Sequence, residues 1–162
     1  MTAALAWSDQ FVLHQPQMDQ THREFVDLLA AANVALAQEQ ADLLHHWEAL
    51  VEHTREHFAQ EDRWMAATGF SPENCHSFQH QAVLAVMVEC ARRARDEADF
   101  EPLRLAVDEL AQWFPQHAAM MDTALAEHMA SVGFDPATGQ RREPALEGAA
   151  PITGCGGGSC GT

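Results

Sequence analysis

The sequence predicts an all-α fold, an up-down-up-down four-helix bundle with an N-terminal arm and a flexible C-terminal tail. Three observations lead there. Ala, Leu, Glu and Gln dominate the central part, and all four favour helix. Tyr is absent, and the β-branched runs that would build strands are scarce. Apolar residues recur at helical spacing over four stretches of roughly 20–30 residues, joined by short connections. A chain of 162 residues, 47% of them hydrophobic, suits one domain with a sizeable core. The expected division is residues 1–134 for the bundle, with residues 1–17 as its arm, and residues 135–162 for the tail.

The arm has no helical period. It carries Trp7 and Phe11, which should pack onto the bundle, and Pro16 should end it. The first helix is expected from about Asp19 to Gln38, with Asp19 as N-cap and Phe25, Leu28, Leu29, Ala32 and Leu36 on one side. The second should run from about Asp42 to Thr68, with Gly69 as its C-terminal stop. SPEN should open the third, with Ser71 as N-cap and Pro72 at the first helical position, and it should reach about Glu97. The fourth should run from near Pro102 to about Val132, with Pro115 inside it bending the helix. Beyond Asp135 the composition turns to Pro, Gly, Ala and Thr, which suits a mobile tail.

Two local patterns carry chemistry. In HTREHFAQEDRWM, His57 and Glu61 are four residues apart, and in HSFQH so are His76 and His80. That spacing stacks each pair on one helix face. A lone pair of this kind is weak evidence, because a helical His is usually surface or core filler. The combination is stronger, since each of the four helices offers a donor: His22; His57 and Glu61; His76 and His80; His117 and Asp122. Leaving so many polar groups buried without a partner would cost roughly 1–3 kcal/mol each. Neutral imidazole nitrogens and anionic carboxylate oxygens together suit iron, manganese or zinc. Seven donors exceed one tetrahedral ion and match two metals sharing carboxylate bridges.

His117 and Asp122 are five apart, which places them ~140° apart on a regular α-helix. A π-type turn between Pro115 and Asp122 would bring them to one face. His53, one turn before His57, is expected to support the site or pack in the core, without being a ligand. His14, His45, His46 and His128 are expected outside it.

At these residues the chain resembles the bacterial hemerythrin family. The matching text is WSDQF, MDQTHREF, HFAQEDRWM, HSFQH and WFPQHAAMMD, spread over about residues 7–132. The resemblance implies two non-haem irons bridged by an oxo or hydroxo oxygen, with dioxygen as ligand. It implies that His76, His80 and His117 hold one iron, that His22 and His57 hold the other, and that Glu61 and Asp122 bridge them. Two six-coordinate irons need about twelve bonds, and this set supplies one fewer. The vacancy falls on the two-histidine iron, where the family binds oxygen. Phe114 stands where the family commonly has Leu, so a larger ring should border the oxygen pocket. Phe25, Phe58, Met18 and Trp113 should add to its apolar surroundings.

The expected function is therefore reversible dioxygen binding for storage, delivery or sensing, without enzymatic turnover. Di-iron oxidases of the ferritin-like kind use four carboxylates and two histidines, whereas imidazoles prevail here. The alternatives are a di-iron oxidoreductase acting on nitric oxide or peroxide, and an iron-handling or repair protein. A formal charge of −15 opposes nucleic acid and anionic membrane as partners. No apolar run approaches a membrane span, and the N-terminus shows no basic region followed by an apolar stretch, so a cytoplasmic protein is expected. Cys155 and Cys160 in the tail could form a reversible disulfide, bind a thiophilic metal or meet a protein partner.

Overall fold

Helix-forming sequence and short connections produce four long helical rods in a computed structural model, which describes residues 5–142 and 148–154. Helix α1 spans Pro16–Ala35, α2 Gln40–Thr68 and α3 Cys75–Glu97. The fourth rod is continuous but not uniform. It comprises α4 (Glu101–His117), a π-helical segment (Ala118–Asp122) and α5 (Thr123–Ser131). Helix α1 packs on α2 and α4, and α3 packs on the same two neighbours, which closes the bundle. The expected all-α bundle is thus what the chain forms. Among the described residues, no helix is long and apolar enough to cross a membrane.

Helix ends follow local hydrogen-bond supply. Helix α1 starts three residues earlier than the sequence suggested. Pro16 occupies its first turn, where a missing N–H costs nothing, and the Gln15 side chain accepts from the Met18 N–H at 2.6 Å. Asp19 instead accepts from the Leu13 N–H at 2.7 Å and ties the arm down. Helix α2 stops where expected, because Gly69 sits at φ 101° and its N–H reaches the Met65 carbonyl. Helix α3 begins at Cys75 rather than Pro72. Asn74 and Ser77 cap each other reciprocally, at 2.9 and 3.1 Å, which Ser71 has no partner to match.

The core is two apolar clusters. The larger holds Phe25, Leu29, Leu43, Trp47, Leu50, Leu103 and Phe114, and the arm contributes Phe11 and Trp7 to it. Arg23 lies over the Trp7 ring at 4.7 Å. Trp47 is fully buried, and its indole N–H donates to the Met87 carbonyl of α3 at 3.0 Å. The smaller cluster, with Met18, Trp64, Met65, Leu125 and Met129, closes the other end.

Part of the expected tail is folded. Strands β1 (Phe134–Asp135) and β2 (Gln140–Arg141) form a short antiparallel hairpin. Ile152 pairs in parallel with Phe70, accepting from the Ser71 N–H at 2.8 Å and donating to the Gly69 carbonyl at 2.9 Å. The segment thereby covers the connection between α2 and α3. Cys155 and Cys160 lie outside the described residues.

Removing the largest side chain of the core should test the packing. Trp47→Ala is expected to destabilise the metal-free protein by about 3–5 kcal/mol in urea denaturation, from the cavity and the lost inter-helix hydrogen bond. A loss under about 1 kcal/mol would show that the α2–α3 contact matters little.

Candidate metal centre

All four rods contribute to one buried polar cluster inside this apolar bundle. Helix α1 supplies His22, α2 supplies His57 and Glu61, and α3 supplies His76 and His80. The fourth rod supplies His117 at the end of α4 and Asp122 at the end of the π segment. Each of the seven is at most 5% exposed. The seven sequence-predicted positions therefore meet in space.

The π segment is what brings the last two together. Widening the turn lets residues five apart share a face, and the His117 Nε2 lies 3.1 Å from the Asp122 Oδ1. The Thr123 hydroxyl donates to the Ala118 carbonyl at 2.9 Å, a bond of the same five-residue span. Pro115 has no N–H to give the ladder just upstream.

The imidazoles fall into two groups. The rings of His76, His80 and His117 lie 4.4, 4.9 and 5.2 Å from one another. The rings of His22 and His57 lie 5.1 Å apart. Between the groups sit the carboxylates. Glu61 turns Oε1 toward His57 (3.0 Å) and His22 (3.7 Å), and Oε2 toward His80 (3.3 Å) and His76 (3.4 Å). Asp122 turns Oδ2 toward His22 (3.1 Å), and Oδ1 toward His76 (3.0 Å) and His117 (3.1 Å). Each carboxylate thus presents one oxygen to each histidine group.

Much of this polar surface is unsatisfied within the protein. The Nε2 atoms of His22, His76, His80 and His117 make no hydrogen bond, nor do Glu61 Oε2 and both Asp122 oxygens. Orphaned buried donors and acceptors converging on one point are costly unless something binds among them. Two overlapping sets have metal-ligand proximity: Glu61 with His76, His80, His117 and Asp122, and Glu61 with His22 and His57. The donor chemistry fits metal ions.

Electrostatics agree with a cation-seeking cavity. Burial opposes ionisation of Glu61, yet the facing His57, with His22 and His76, holds its carboxyl well below the usual range. Burial and the neighbouring Glu61 charge oppose Asp122, but His117 and His22 hold it well below its usual range too. In the metal-free protein, burial works against a charged His22, but Asp122 and Glu61 outweigh it and push it up to about 10. His76 is pushed up to about 9 by the same two carboxylates against the same burial. For His57 burial prevails, and its pKa is lowered.

Aromatic rings and outer partners frame the cluster. Phe114 meets His22 edge-on at 5.3 Å and stacks on Phe25 at 4.8 Å, which sets its ring beside the two-histidine group. Phe58 stacks on His80 at 4.0 Å, and Trp113 stacks on His117 at 4.3 Å. Met18 belongs to the smaller core cluster and also lines a crevice of about 240 Å³ that reaches His57 and Glu61 between α1 and α2. His53 also lines this crevice, with Nε2 against the Glu24 carboxylate at 3.1 Å. His128 lies outside the cluster and pairs with the Thr68 carbonyl at 2.9 Å.

Two residues escaped the sequence reading. The His80 Nδ1 lies 3.1 Å from the Asp62 Oδ1, and the His117 Nδ1 lies 3.0 Å from the Gln79 Oε1. The Nδ1 atoms of His22, His57 and His76 have no such partner. Adjacency to Glu61 and His80 in sequence was the only signal available for Asp62 and Gln79.

Comparison with known proteins gives two matches. Residues 15–128 match the model of the hemerythrin HHE cation binding domain. The chain is 40% identical over 131 residues to a bacteriohemerythrin of Ralstonia nicotianae, covering 81% of this chain and 93% of that relative. No solved structure matches. Domain match, relative and buried histidine–carboxylate cluster agree, and the chain belongs to the hemerythrin family.

Proposed function

We propose that the cluster holds two non-haem irons bridged by an oxo or hydroxo oxygen, and that it binds dioxygen reversibly. One observation carries the reading: Glu61 and Asp122 each turn one oxygen to the three-histidine group and the other to the two-histidine group. That is the posture of a carboxylate shared by two ions. His76, His80 and His117 would hold one iron, and His22 and His57 the other. When bound, the two irons supply the electrons that hold dioxygen reversibly.

The protein's own residues decide what else reaches the site. Phe114 and Phe25 seal the side of His22, and Phe58 and Trp113 seal the side of His80 and His117. An apolar wall limits water and proton supply, which favours release of intact oxygen over oxidation. The crevice beside His57 lies on the two-histidine side, where the protein would give a metal one ligand fewer. Oxygen storage, delivery or sensing is the role this supports, and the bacteriohemerythrin relative has the same family name. Turnover of nitric oxide or peroxide under reductant would favour the enzymatic alternative instead.

Metal analysis combined with absorption spectra of the reduced protein before and after air tests the function. Two irons per chain and a visible band that appears with oxygen and fades when oxygen is removed are expected. Fewer than two irons, or no oxygen-dependent band, would overturn it.

Removing the extra residue of the wide turn should test what the turn is for. Met120 is 68% exposed, so its deletion spares the core while placing the aspartate four residues after His117. Residues four apart share a face on a regular helix, as His57 and Glu61 do, so the variant should remain helical by circular dichroism and still bind two metals per chain. Loss of the second metal would contradict the view that the π segment serves only to bring these two residues to one face.

Loading should also displace protons. At neutral pH the metal-free protein carries charged His22 and His76, whereas metal ligation needs neutral imidazole. Protons from His22 and His76 should therefore be released on loading, as read by a pH indicator in weak buffer. The stability these histidines add is fully present below about pH 6.5 and is lost as pH rises through about 9 to about 10. The contribution of Glu61 and Asp122 is present above the usual carboxylate range and is lost as pH falls below it. His57, whose pKa burial lowers, acts in the opposite sense, its contribution being present above about pH 6.5 and lost as pH falls. Thermal denaturation of the metal-free protein should therefore show its greatest stability near about pH 6.5 and a decline on either side. Release of no protons would contradict this charge assignment.

A further inference from the structure

The two halves of the cluster are not built alike. In the three-histidine half, His80 and His117 are each held from two directions. Asp62 and Gln79 take their Nδ1 atoms at 3.1 and 3.0 Å. Phe58 and Trp113 lie flat against their rings at 4.0 and 4.3 Å, with interplanar angles of 6° and 24°. An imidazole that binds metal through Nε2 must carry its proton on Nδ1. Asp62 and Gln79 accept that proton, so they select the tautomer with a free Nε2 lone pair before any metal arrives. Both contacts also fix ring rotation, which removes ordering cost from metal binding.

The two-histidine half lacks this support. The Nδ1 atoms of His22 and His57 have no hydrogen-bond partner. Nothing in their hydrogen bonding selects a ligating tautomer. His57 Nε2 is already engaged by Glu61 Oε1 at 3.0 Å, and that bond must break or rearrange on loading. The His22 ring meets Phe114 edge-on rather than face to face. This half also borders the crevice between α1 and α2 lined by Glu24, His53, His57 and Glu61.

We infer that Asp62 and Gln79 are positioning residues that make the three-histidine half the first and tighter metal site, and that the two-histidine half fills second and exchanges more readily. The inference rests on the two-metal reading above and adds an order to it. A one-metal form would then exist at limiting metal, with its ion held by His76, His80 and His117 and the vacant half facing the crevice. The bridging carboxylates would keep their second oxygens free for the next ion.

Stepwise loading of the full-length metal-free protein with Co(II), followed by visible absorption and calorimetry, tests this. Co(II) accepts imidazole and carboxylate donors and reports its coordination in its absorption. Two steps are expected, the first at least about tenfold tighter. Asp62→Ala and Gln79→Ala should each weaken the first step by about 10- to 100-fold, the usual cost of losing such a partner, and leave the second within about threefold. Asp62→Asn retains an acceptor oxygen and should restore much of the loss. His57→Ala should abolish the second step and retain the first. Asp62 has a side chain 42% exposed, so its variants are not expected to unfold the bundle, and circular dichroism checks this. Two steps of equal affinity, or an Asp62→Ala effect spread evenly over both steps, would overturn the order while leaving two-metal binding intact. Failure to bind any Co(II) would instead overturn the metal reading itself.

Discussion

Glu61 and Asp122 place two carboxylates in the middle of a bundle where neither reaches water. Anions at such depth need compensating positive charge, and no Lys or Arg pairs with either among the described residues. The compensation comes from imidazoles on all four rods, of which His22 and His76 are charged in the metal-free protein; in the proposed loaded state metal ions would take the place of those protons. Every other placement in the molecule serves that meeting. The four rods must pack closely enough for five ring nitrogens to converge, and each helix must present the right face at the right height.

Several local features have their reason there. The π segment adds the residue that lets Asp122 return to the face of His117. The Asn74–Ser77 capping box fixes the start of α3 immediately before His76, so the first cluster histidine of that helix follows a capped turn. Gly69 ends α2 in a left-handed turn, and Ile152 covers the connection. Trp47 and the large apolar cluster hold the rods together on one side of the site, and the Met18–Trp64–Leu125 cluster does so on the other. Placing polar groups in the centre costs stability, and the two apolar ends offset that cost.

The four rods and the seven cluster residues could be read from the chain because both depend on regular spacing. Helical period marks the rods, and HxxxE and HxxxH put paired donors on one face. The awkward five-residue interval between His117 and Asp122 pointed to the wide turn for the same reason: a regular helix cannot join them. Features set by contacts distant in sequence were harder to see. SPEN contains two residues able to cap α3, and only the position of Ser77 decides for Asn74. Pro16 reads as a terminator, yet its ring suits a first helical turn when Gln15 supplies the cap. The docking of Ile152 depends on partners at Gly69 and Ser71, and a segment rich in Pro and Gly gives no local sign of it. Asp62 and Gln79 look like ordinary solvated positions beside ligands until α2, α3 and α4 are packed together.

The central claim is that Glu61 and Asp122 are shared by two metals, one in each histidine group. Anomalous diffraction at the iron edge from crystals of the loaded protein tests it most directly. Two peaks are predicted, one enclosed by His76, His80 and His117 and one beside His22 and His57, with both carboxylates between them. A single peak, or two peaks of which only one touches Glu61 and Asp122, would contradict the account.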